Sequence, residues 1–248
     1  LDKFEEAHVI SGHTHIQRNY IHSTYDIYEH NMGTVCGTWW TSNVCGDGTP
    51  NGYGVFIGEG NTFSDWYYMG YHRGQNTRAT QMRLYRGNAL TGAAIPDGDA
   101  NTNGTKGYYK FNFASDVLLA NVYNADKYWT VEVYEDGVYS GKMALLDNKV
   151  RPYHGDTDPK LGGNGSFEAP FYSPKTDTSS DMHFTGLYLG ILGKKDNSYN
   201  TYGYCHHMYK YTLVNPNAKI MVKATDRFGN TYTETKITKG TDYSVTGL

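Results

Sequence analysis

Gly12-His13-Thr14-His15 is the segment of this sequence best suited to chemistry. It follows Ala7-His8-Val9-Ile10-Ser11, which reads as a short buried strand. Two histidines at i and i+2, in a loop opened by glycine, bring two imidazoles to one place. Neutral imidazole is a common metal ligand. The same spacing also suits two solvated histidines on a surface loop, and spacing alone leaves both readings open. His22 and His30 lie close by in sequence and either line the same cleft or are solvated. Asp47 and Asn51 sit in the glycine-rich run Gly46-Asp47-Gly48-Thr49-Pro50-Asn51-Gly52. They either shape a substrate pocket or make the turn. His206 and His207 are adjacent, so on a strand they face opposite sides and do not share a metal. Trp39, Trp40 and Trp66 are read as strand core, with an exposed platform for stacking on a sugar as the alternative.

The elements that must position these residues are short strands. Residues 7–11 form one and residues 32–40 a second. Residues 53–57 pair with residues 62–71 across the hairpin signal Gly58-Glu59-Gly60-Asn61, and residues 80–86 add one more. Residues 88–107, rich in Gly, Asn, Asp and Thr, read as a linker. This divides the chain into a first block, 1–87, and a second, 108–248. In the second block, residues 118–123, 128–134, 183–192, 207–213 and 231–237 read as strands. Glu135-Asp136-Gly137 turns the chain before Val138-Tyr139, and residues 147–181 read as a long loop. Ile220, Val222 and Ala224 alternate with Met221 and Lys223, the pattern of a half-buried strand, and Arg227-Phe228-Gly229-Asn230 turns it back. Short strands with turns between them predict an antiparallel β-sandwich for the second block.

Composition bounds the function. The chain has 248 residues, enough for one large domain or two modest ones. It has 22 Lys+Arg against 25 Asp+Glu, a net charge of -3, which argues against nucleic-acid binding. Charged residues are only 19%, while 29 Gly and 24 Tyr point to a β-rich globular protein. No apolar run approaches the roughly 20 residues that cross a bilayer. The chain starts at Leu1, without an initiator Met or a signal peptide, and reads as a processed protein or a fragment. Three cysteines exclude a disulfide-dense scaffold. Cys36 and Cys45 are placed to close a small loop and Cys205 is left over; the alternative is three free or buried thiols. No P-loop, no Gly-x-Gly-x-x-Gly, no Gly-x-Ser-x-Gly and no Cys-x-x-Cys occurs.

Taken together, the strand before Gly12-His13-Thr14-His15, Val35-Cys36-Gly37-Thr38-Trp39-Trp40-Thr41, Cys45-Gly46-Asp47-Gly48-Thr49-Pro50-Asn51-Gly52-Tyr53 and Gln81-Met82-Arg83-Leu84-Tyr85 resemble the tail of the calcineurin-like metallophosphoesterases. The resemblance is strongest to bacterial enzymes that carry an extra C-terminal β domain. Asn121-Val122-Tyr123-Asn124-Ala125-Asp126, Trp129, Glu135-Asp136-Gly137 and Val222-Lys223-Ala224-Thr225-Asp226-Arg227-Phe228-Gly229 match that domain. The resemblance implies a mainly β chain: the end of a metallophosphoesterase sheet, then an accessory sandwich. It assigns His13 to one metal and His15 to the other of a dinuclear pair of zinc, iron or manganese, with hydrolysis of a phosphate ester as the reaction. It also implies export to the periplasm or cell surface.

The sequence departs from the family in one respect. The earlier motifs, an Asp-x-His, a Gly-Asp, a Gly-Asn-His-Asp/Glu and a further His, have no room in the eleven residues before Gly12. Asp2 and His8 there are in the wrong arrangement. The expectation is a chain that lacks most ligands, holds no metal stably and is inactive without an N-terminal catalytic segment as its partner. The rival reading is a β-rich binding module for carbohydrate or protein with no chemistry at all.

Overall fold

The computed structural model describes residues 4, 6–15, 17–22, 27–36, 45, 49–71, 76–87, 114–145 and 207–237. Among them every regular element is a strand, so the chain is mainly β. The strands are β1 (Ala7–Ser11), β2 (Arg18–His22), β3 (Ile27–Asn31), β4 (Gly52–Glu59), β5 (Thr62–Gly70), β6 (Met82–Arg86) and β7 (Val117–Val122). They continue with β8 (Thr130–Glu135), β9 (Val138–Lys142), β10 (Ala144–Leu145), β11 (Met208–Thr212), β12 (Ile220–Thr225) and β13 (Thr231–Glu234).

The second half is a sandwich of two antiparallel sheets, ordered β10-β11-β7-β6 and β13-β12-β8-β9. Alternation along the strands builds its core. Met82, Leu84, Leu118, Ala120 and Val122 come from one sheet, and Val131, Val133, Ile220, Val222, Ala224 and Tyr232 from the other. All of β12 obeys the alternation read from the sequence, with Ile220, Val222 and Ala224 buried. β7 is buried along its whole length, as a central strand covered on both faces is. Asp136 and Gly137, at φ 51° and 82°, form the two-residue turn between β8 and β9 that an Asp-Gly pair favours. β6 pairs along its length with β7, so this sheet takes in residues 82–86 of the first block.

Ahead of the sandwich lies a second pair of layers. β1 and β3 run parallel, and β2 is antiparallel to β3, giving the order β1-β3-β2. A parallel pair needs a return connection. Here that return starts in the Gly-His-Thr-His loop and continues through β2. The β4–β5 hairpin packs its Trp66, Phe56 and Phe63 onto His8, Tyr28 and His30 of the sheet, with ring centroids 4.9–5.5 Å apart. Gly60, at φ 63°, opens the hairpin turn.

Several expectations move. Of the strand expected over residues 32–40, residues 32–36 are non-strand, β3 ending at Asn31, and residues 37–40 lie outside the described residues. Sequence reading missed β2 and β3 because Arg18-Asn19-Tyr20-Ile21-His22 and Ile27-Tyr28-Glu29-His30-Asn31 are strands with polar residues on both faces. β1 is less buried than its apolar run suggested: only Ala7 is buried, and Ile10 is 56% exposed. The expected linker and the stretches 147–181 and 183–192 lie outside the described residues.

Candidate functional site

The loop carrying His13 and His15 leaves the carboxyl end of β1, beside the carboxyl end of β3, where Ser11 and Asn31 are register partners. Carboxyl ends of parallel strands are where α/β sheets place their ligands. The left-handed positions of the loop are taken by the histidines rather than by Gly12: His13 has φ 76° and His15 φ 58°. That conformation costs about 1 kcal/mol or more per non-glycine residue, and something must hold it. A Cβ added at Gly12 meets open space, so nothing packed here requires that glycine.

Two side chains of β3 hold the loop. Thr14 donates its hydroxyl to Asn31 Oδ1 at 2.9 Å, and Ser11 donates to Glu29 Oε1 at 2.7 Å. The Met32 amide closes the base by donating to the Ser11 carbonyl at 2.9 Å. His13 is exposed and His15 half-buried. The glycine-rich loop returns to the same end of β3, because the Gly52 amide donates to the Thr34 carbonyl at 3.2 Å. Asn51 is buried there and accepts the Tyr71 amide on its own carbonyl at 2.6 Å. Asp47 lies outside the described residues. His22 closes β2, and its side chain also lies outside them.

His30 is not the solvated group that the sequence allowed. It is fully buried between the sheet and the hairpin. A chain of hydrogen bonds runs from it to Asn19 on one side and to His8 and Glu6 on the other. Asn19 Nδ2 donates to the Asn124 carbonyl at 2.7 Å, so Asn19 Oδ1 is the atom facing His30 Nδ1 at 3.3 Å. His30 Nδ1 therefore carries hydrogen, and its bare Nε2 accepts from His8 Nδ1 at 2.9 Å. His8 Nε2 in turn meets Glu6 Oε1 at 2.7 Å. The Thr62 hydroxyl, and then His8, hold the Glu6 carboxyl below its ordinary range. Burial first, then the charges of His8 and Arg227, push His30 down to about 3. This chain is coherent, but it uses a different face of β3 from the residues that hold the His13 loop.

The turn between β12 and β13 joins the sandwich to these layers. Asp226 accepts the Phe228 and Asn230 amides at 2.8 Å each and shapes the turn. The turn presents the Arg227 guanidinium over the rings of Tyr28, Trp66 and Tyr128, 4.4–4.9 Å from their centroids. Arg227 Nε lies 3.4 Å from Asp126 Oδ2, which also accepts the Tyr28 hydroxyl at 2.6 Å. Phe228 sits edge-on to Trp66 at 4.6 Å. Trp66 is thus core, as is Trp129, whereas Trp39 and Trp40 lie outside the described residues. His207 is buried and its Nε2 donates to the Gln17 carbonyl at 3.0 Å, a structural role; His206 lies outside. Cys36 is half-buried with its Sγ 3.1 Å from the Thr34 hydroxyl, and Cys45 is buried against Thr34 and Pro50, while Cys205 lies outside the described residues.

A family model described as the C terminal of calcineurin-like phosphoesterase matches residues 29–157, more than half of the chain. The chain belongs to this calcineurin-like phosphoesterase C-terminal family. The match starts at Glu29, after His15, so it rests on β3 through β10 and is independent of the histidine motif. No curated protein and no solved structure matches the chain. The resemblance read from the sequence and the sandwich expected from it therefore both hold for this phosphoesterase-family chain.

The family implies metals, and the donors present fit a share of such a site. His13 and His15 offer two imidazoles on one pinned loop. Among the described residues, no group of three or more His, Cys, Asp or Glu is placed to hold a metal ion. Sequence reading missed the residues that support the motif, Ser11, Thr14, Glu29 and Asn31. Ser11 precedes the motif and Thr14 lies between its histidines, but their partners on β3 lie 18 and 17 positions away.

Proposed function

We propose that this chain is the C-terminal part of a dinuclear-metal phosphoesterase that hydrolyses phosphate esters. The observation that carries this reading is the pinned, left-handed His13/His15 loop at the carboxyl end of β1, inside a chain of the calcineurin-like phosphoesterase family. In the complete enzyme, His13 and His15 each give an imidazole to one of two ions. The remaining donors come from an N-terminal catalytic segment. When bound, the ions supply Lewis acidity at a phosphoryl oxygen. The chain's own share is to set the two imidazoles and to close that end of the sheet with the 49–52 segment. This chain alone is inactive. The sandwich braces the sheet through Arg227, Asp126 and Asn124.

The test is made on the complete enzyme. His13→Ala and His15→Ala each lower its bound metal, measured by elemental analysis, and reduce turnover of a generic aryl phosphate or phosphodiester by 100-fold or more. The fold by circular dichroism stays intact. Near-wild-type turnover and metal content in either variant overturn the assignment.

A further inference from the structure

We propose that Asn31 is a positioning residue for the metal-ligand loop, acting through Thr14; this rests on the reading of His13 and His15 as ligands. Thr14 is the residue between the two histidines, and both histidines sit in left-handed backbone. A segment of that kind relaxes unless its middle is held. The Thr14 hydroxyl has its partner in the Asn31 carboxamide at 2.9 Å. Asn31 is the last residue of β3 and the register partner of Ser11, so it is fixed by the strand ladder on the side where the loop begins. Ser11, bonded to Glu29 two residues before Asn31, fixes the base of the loop. The loop is therefore tied at its base and its midpoint to one strand. The backbone between the two histidines is thus held from β3, and a Cβ at Gly12 would meet open space. Partners that orient ligands from behind change metal affinity by about 10–100-fold when removed.

The experiment measures zinc affinity of the complete enzyme by competition with a chromophoric chelator. Thr14→Val removes the hydroxyl at constant shape, and Asn31→Leu removes the carboxamide at similar size. Each is expected to weaken zinc by about 10-fold or more, and the double variant by no more than either alone, because both break one bond. Asn31→Asp keeps an acceptor oxygen and retains zinc. His13→Ala is measured alongside. If His13→Ala leaves zinc affinity unchanged, the ligand reading itself fails. If His13→Ala weakens zinc while Thr14→Val and Asn31→Leu do not, the positioning role is overturned and the ligand reading stands. Losses that multiply in the double variant also overturn it, since the two residues then act separately.

Discussion

At His30, a side chain that titrates near pH 6.5 in water is held neutral inside a stack of aromatic rings. The folded state gives up that proton at about 3, whereas an unfolded chain keeps it up to the ordinary value. Between these limits the unfolded state binds more protons, so stability rises with pH across the window. The contribution is complete above about pH 6.5 and is lost as pH falls toward 3. The groups around this site are His8, Glu6, Tyr28, Asp126 and Arg227, and Asn19 Oδ1 accepts a hydrogen bond from His30 Nδ1. Chemical denaturation at a series of pH values is expected to show this acid loss. His30→Gln, which cannot take up a proton, is expected to flatten it. An equally steep acid loss in His30→Gln would show that the carboxylates alone are responsible.

The β8–β9 hairpin shows how far an element follows from its own residues. Asp136 and Gly137 both adopt positive φ, and only glycine does so without strain. A Cβ at Gly137 meets no neighbour, so Gly137→Ala tests backbone alone. It is expected to cost about 1–2 kcal/mol in thermal or urea unfolding. A neutral result would mean that the turn relaxes. β3 is the contrary element. Its Tyr28-Glu29-His30-Asn31 run has no apolar alternation, because each residue is used: Tyr28 for Asp126, Glu29 for Ser11, His30 for His8 and Asn31 for Thr14.

At the scale of the molecule, one turn of the sandwich clamps the layers that carry the histidine loop. Arg227 lies against three rings and a carboxylate that is itself 8% exposed. Desolvated cation–π contacts contribute on the order of 2 kcal/mol. Arg227→Ala is expected to raise hydrogen exchange in β1 and β3 while β8 and β12 keep their protection. Uniform loss of protection would mean that the two parts unfold as one unit. The core of the sandwich is separate from this clamp. Val222→Ala, at a fully buried position, is expected to cost about 2–3 kcal/mol by leaving a cavity.

The sequence by itself determined the local features. These are the alternation that fixes β12, the Asp-Gly turn, the hairpin around Gly60, the antiparallel sandwich and the family resemblance carried by its motifs. Each rests on neighbours a few residues apart, where side-chain period and backbone freedom leave little choice. Tertiary structure alone decided which strands meet: β1 beside β3, and β6 in the sandwich sheet. It also buried His30, placed Trp66 under Arg227 and tied Thr14 to Asn31. Polar strands such as β2 and β3 give no periodic signal, because their hydrogen-bonding partners lie far along the chain. Those bonds form only once packing has removed water from around them.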